Sequence, residues 1–190
     1  MMRKQFSYGF VLSLLLLFEI VGCGSRLPEN TSELKSLTVA EAVELVARKK
    51  NLLLDGLTSL PPDVAGALAE QSQGLLFLRG LTELSIASAE KLTSQKQGTI
   101  FLQGITSLSP QLAVALSGHQ GTLVLSGLKT VTPETAEIFV KHKGKLYLRH
   151  LERELVEDDA ATILKENEDI ALPEWVFEVP KPRRRRRQQR

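Results

Sequence analysis

Apolar residues return along this chain at a fixed interval. Ala42, Ala65, Ala89, Ala113, Ala136 and Ala160 stand 23, 24, 24, 23 and 24 residues apart. Three residues after each comes a large apolar side chain: Leu45, Leu68, Leu92, Leu116, Phe139, Ile163. Five residues before each comes another: Leu37, Leu60, Leu84, Leu108, Val131, Leu155. Three columns filled in six rows define a repeated unit, and a period of this size marks a stacked repeat architecture.

A second block shares the period. Leu52-Leu53-Leu54, Leu76-Phe77-Leu78, Ile100-Phe101-Leu102, Leu123-Val124-Leu125 and Leu146-Tyr147-Leu148 are followed by a weaker Ile170-Ala171-Leu172. Such triplets predict short strands whose outer residues point inward and whose middle residue points out. Four run on into glycine and an aliphatic residue: Gly56-Leu57, Gly80-Leu81, Gly104-Ile105 and Gly127-Leu128. The fifth carries His150-Leu151 instead. Glycine there predicts a backbone bend that a β-carbon would obstruct.

Helix signals fall between the strands. Thr38, Ser85, Ser109 and Thr132 precede the alanine by four residues, where an N-cap belongs, and Pro110 and Pro133 follow as first helical residues. Thr38 with Glu41 reads as a capping box. Gly74, Gly98, Gly121 and Gly144 are expected to close the helices in the left-handed conformation. The fold class predicted is α/β: a solenoid of about five to six strand–turn–helix units. One unit cannot bury its apolar face alone, so neighbours must stack. With strands ~4.8 Å apart, six make a sheet roughly 24 Å long. Residues 34–50 supply a helix without a preceding strand, as an N-terminal cap would. Pro173–Pro180, with Trp175, Val176, Phe177 and Val179, is expected to fold over the last coil.

The period and the Leu-x-Leu strands of residues 34–172 resemble leucine-rich repeats. That family usually places asparagine or cysteine three residues after the second strand leucine. Here Leu57, Leu81, Ile105, Leu128 and Leu151 occupy the position, so the asparagine ladder is missing.

Outside the repeat, the first residues read as an address. Arg3 and Lys4 precede an apolar run from Phe10 to Phe18, as in a secretory signal. From Phe6 to Val21 the stretch contains Glu19 and falls short of the ~20 residues of a membrane span. Ile20-Val21-Gly22-Cys23 resembles the lipobox of bacterial lipoproteins. The resemblance implies diacylglyceryl attachment to the Cys23 sulfur, cleavage after Gly22 and acylation of the new N-terminus. The thiol is the nucleophile suited to that alkylation. An uncleaved signal anchor, with Cys23 a chance neighbour, is the alternative.

Charge is uneven. Residues 24–180 hold 15 basic and 21 acidic side chains, whereas Lys181, Arg183, Arg184, Arg185, Arg186, Arg187 and Arg190 put seven positive charges on the last ten residues. Eight acids against Arg153 and Lys165 fill 152–169. An arginine run of this kind reads as a disordered tail. Its expected contacts are anionic lipid, envelope polysaccharide or the protein's own acidic end. No aromatic residue interleaves the arginines, which argues against nucleic acid.

Little in the chain suggests catalysis. One cysteine excludes an intrachain disulfide, and three histidines leave little for a metal site or a nucleophile–base pair. His119 and His142 hold the same repeat position and should stack, yet no carboxylate or thiolate recurs beside them. No phosphate-cradling glycine loop, nucleophile elbow or zinc-protease helix is present. The outward residues of the strands are more suggestive. Leu53, Phe77, Phe101, Val124 and Tyr147 form an apolar column bordered by Asp55, Arg79, Gln103, Ser126 and Arg149. An apolar stripe with a polar border is what a binding face looks like. Cross-strand packing is the plainer reading.

These readings combine into one expectation. Residues 1–22 are a signal peptide, 23–33 a lipidated tether, 34–180 the solenoid with its caps, and 181–190 a basic tail. The protein is expected to be a non-enzymatic lipoprotein of the bacterial cell envelope, periplasmic or surface-exposed, without cofactor or metal. Its solenoid would bind another envelope protein or a polysaccharide through Leu53, Phe77, Phe101, Val124, Tyr147, Arg79 and Arg149. A self-associating structural protein whose tail grips anionic polymer is the alternative.

Overall fold

The computed structural model describes residues 31–177, except 49, 71–73 and 95–96. Six parallel strands form one sheet in chain order: β1 (Leu52–Leu53), β2 (Leu75–Phe77), β3 (Thr99–Phe101), β4 (Thr122–Val124), β5 (Leu146–Tyr147) and β6 (Ile170–Ala171). Six α-helices alternate with them among the described residues: α1 (Val39–Arg48), α2 (Pro62–Ala69), α3 (Ile86–Thr93), α4 (Pro110–Ser117), α5 (Pro133–Val140) and α6 (Asp158–Leu164). Each strand pairs with the next coil's strand at one full period, as in Leu76↔Ile100↔Leu123↔Leu146. The ladder runs past the strand ends: Leu54, Leu78, Leu102, Leu125 and Leu148 donate to carbonyls of the following coil.

The apolar columns make the core. Ala42, Ala65, Ala89, Ala113, Ala136 and Ala160 are all fully buried. So are the inward leucines and isoleucine of β1 to β5, with Leu57, Leu81, Ile105, Leu128 and Leu151 behind them. Sheet and helices thereby enclose a continuous apolar layer of leucines and alanines. Ser85, Ser109 and Thr132 accept from backbone N–H groups three residues on, at 3.1, 3.2 and 3.3 Å. Thr38 and Glu41 form the reciprocal capping box.

The last unit departs from the expected register. Leu155 is 51% exposed and Ile163 is only half-buried, whereas Val156 and Leu164 are buried. In the first five helices the column alanine donates its N–H to the carbonyl of the N-cap residue, as Ala136 does to Thr132. In α6 the residue doing this is Ala161, bonded to Glu157. The sixth row therefore aligns on Ala161, one residue later. Both alanines are buried, so the alanine pattern alone could not separate the two registers.

The glycine expectation also needs correction. The helices end four to five residues before Gly74, Gly98, Gly121 and Gly144, and their C-cap residues Glu70, Ser94, Gly118 and Lys141 are right-handed. Gly74 and Gly98 do have positive φ, at 143° and 94°, but Gly121 and Gly144 do not. At Gly121 and Gly144 the requirement is close approach: β-carbons there would collide with the carbonyl oxygens of Gly98 and Gly121 in the preceding coil. Similarly, Gly127 faces the Gln103 carbonyl, so coil-to-coil contact rather than a bend selects glycine there.

Both ends of the stack are covered. Before α1, a 3-10 turn (Thr31–Glu33) lies on β1, where the buried Thr31 hydroxyl donates to the Leu53 carbonyl at 2.7 Å. After β6, a 3-10 turn (Glu174–Phe177) buries Val176, and the Trp175 indole N–H donates to the Leu151 carbonyl at 3.0 Å. Phe177 does not join the cap; it is 63% exposed.

Candidate interaction surface

The outward row of the sheet is only partly open. Leu53 is 46% exposed, and Phe77, Phe101 and Tyr147 are half-buried. Phe77 and Phe101 stack face to face with centroids 4.3 Å apart. The Arg79 guanidinium lies over the Phe77 ring at 4.6 Å, and Arg149 lies over Tyr147 at 5.3 Å. Much of the aromatic surface is thus satisfied within the sheet, as cross-strand packing would have it. Leu53, Arg79 and Arg149 stay exposed on this face.

Two residues expected on the open face are buried instead. Val124 is 8% exposed and Ser126 is 7% exposed. Register sets Val124 between Phe101 and Tyr147, and these larger neighbours shade it. The polar border is uneven too. Asp55 accepts from the Arg79 backbone at 3.1 Å and pairs with its guanidinium at 3.8 Å. Arg149 has no ion-pair partner among the described residues. Lys145 is a further residue of this face; the alternation places it two positions before Tyr147, exposed and on the same side.

His119 and His142 are both buried, at 0% and 4% exposure. A ring nitrogen facing a carbonyl must be the donor, so His119 donates from Nε2 to Gly98 at 3.3 Å, and His142 from Nδ1 to Ser117 at 3.2 Å. That leaves His142 Nε2 as a buried acceptor without a partner. Burial, helped by the neighbouring His119 and opposed by the Ser117 hydrogen bond, holds the His142 pKa below its ordinary 6.5. Asn167 continues the column, donating to the Val140 carbonyl at 2.9 Å. Ser117 and Val140 end α4 and α5, so their carbonyls have no helical partner. This polar column serves the backbone, a role the sequence reading missed although the spacing of these residues signalled it. Among the described residues, no three His, Cys, Asp or Glu side chains lie together as a metal site.

Cys23 and Arg183 to Arg187 lie outside the described residues, as do residues 1–22, read as a signal peptide, and Val179. Among the described residues no helix is long and apolar enough to cross a membrane. Among the acids in 152–169, Glu152 pairs with Lys129 at 2.9 Å. No family model, curated protein or solved structure matches the chain.

Proposed function

We propose that this protein is a lipid-anchored, non-enzymatic binding module of the bacterial cell envelope. The stack is taken as a leucine-rich-repeat-like solenoid, in which the His119–His142–Asn167 column does the backbone duty of the missing asparagine ladder. Supporting this are the 23–24-residue period, the sequential parallel strand order and the inward leucine rows. The anchor rests on Ile20-Val21-Gly22-Cys23, the basic Arg3 and Lys4, and the apolar run between them.

One observation carries the binding role. The sheet keeps a 46%-exposed Leu53 and two arginines docked over aromatic rings on a face that a simple packing layer would leave neutral. Docked guanidiniums lose little freedom on meeting a partner, which favours association. Capture from envelope extracts onto the full chain tests this. Capture should be lost in Leu53→Asp and Arg149→Glu variants and kept in Val114→Asp, whose site is 57% exposed on a helix. Equal capture by all variants would remove the sheet face from the function. Concentration-dependent assembly of the pure chain, abolished by Leu53→Asp, would instead favour the self-associating structural protein.

A further inference from the structure

Coil by coil, the outward side of the sheet is not level. Coil four contributes Thr122, Val124 and Ser126, the smallest set in the middle of the face, and two of them are buried. Phe101 and Gln103 stand on one side of this strip; Lys145, Tyr147 and Arg149 stand on the other. The strip is a low floor with an apolar centre, Val124, and hydroxyls at both ends. Its coil-five wall alternates cation, aromatic ring, cation. Lys145 and Arg149 flank β5 four residues apart, a span of up to about 13 Å along extended chain.

An extended peptide has the same period as the strand beneath it. We infer that the coil-four strip seats an extended peptide of acidic–x–apolar–x–acidic pattern, its carboxylates meeting Lys145 and Arg149 and its central side chain resting on Val124 beside Tyr147. This rests on the sheet face being the interaction surface and names the chemistry of its partner. Charge supports it: residues 31–177 carry 19 acids and 14 bases, yet this wall bears two cations without an ion pair among the described residues. The register sets Asp169, an opposing charge, beside Lys145 on the side away from the strip. Arg149 is already held over Tyr147, so a carboxylate would meet a positioned fork rather than a free side chain.

The test uses the full chain in detergent micelles and end-blocked peptides built around Glu-Ser-Leu-Ser-Glu. Amide NMR shifts report where each peptide binds. The alternating peptide should shift Thr122 to Ser126 and Lys145 to Arg149, and Lys145→Ala or Arg149→Ala should each weaken it about tenfold. Asp169→Asn should strengthen it. Thermal melting of each variant checks that these surface changes leave the fold intact. Equal binding by a shuffled peptide with adjacent acids, or shifts confined to residues 181–190, would overturn the inference. A lysine-containing peptide or polyphosphate shifting the strip instead would overturn it too, while the sheet face remained the interaction surface. No shift in the strip with any probe would overturn both.

Discussion

Ala113 shows how much one methyl group constrains this molecule. It is fully buried on α4, where the helix meets the sheet and its neighbours. Ala113→Leu should therefore cost ~1–3 kcal/mol by overpacking, whereas Gln111→Leu, exposed on the same helix, should change little. Denaturant midpoints of the two variants check this, and equal midpoints would remove Ala113 from the interior. His142 ties stability to pH through its burial. Its depressed pKa means the unfolded chain takes up the proton first, so stability should fall as pH drops through about 6.5 and level off below the folded value. His142→Asn keeps a donor of the Asn167 type, and its melting temperature should vary less between pH 7 and pH 5. Wild-type and variant curves of equal slope would sink that assignment.

At the scale of elements, glycine has two opposite meanings. Gly127 brings coil four against the Gln103 carbonyl, and Gly127→Ala should destabilise by ~1–3 kcal/mol because backbone must move. Gly66 lies inside α2, where an added β-carbon would touch only the Lys91 side chain at 3.9 Å. Gly66→Ala should stabilise by ~0.5–1 kcal/mol through helix propensity and lost unfolded-state freedom. Thermal melts of the pair should move in opposite directions. Both are simply glycines in the sequence; the neighbouring coil is what separates them. The strand triplets and the N-caps at Ser85, Ser109 and Thr132, by contrast, were legible directly, because period, capping chemistry and proline position all act within a few residues. The sixth helix escaped because Ala160 and Ala161 fit the pattern equally, and the choice fell to Val156 and Leu164 packing on coil five.

At the scale of the whole molecule, the proposed anchor and tail can be separated experimentally. Cys23→Ser should leave the protein unprocessed or off the membrane, read by fractionation and by mass spectrometry of the mature N-terminus. An unmodified mature N-terminus elsewhere would end the lipoprotein proposal. Deletion of 181–190 should reduce retention on anionic vesicles or polysaccharide, and wild-type retention should fade above ~0.3 M salt as exposed charges are screened. If deletion instead speeds hydrogen exchange in 152–169 and spares retention, the tail neutralises the acidic end of its own chain.

The sequence by itself determined that this is a stacked α/β repeat, where the strands and the first five helices lie, and which leucines and alanines of the first five units form the core. Those follow from local periodicity, which every coil repeats and which needs no knowledge of the neighbour. Only the tertiary structure decided what depended on the neighbouring coil. The sunken strip at Val124 and Ser126 exists because coils three and five carry larger side chains on either side. The docking of Arg79 and Arg149 on aromatic rings arises from their positions on the assembled sheet face. The His119–His142–Asn167 column bonds to carbonyls supplied by the coil before it. Side-chain size is written in each repeat, but relief on a sheet is a difference between repeats, and it takes a value only when the coils are stacked.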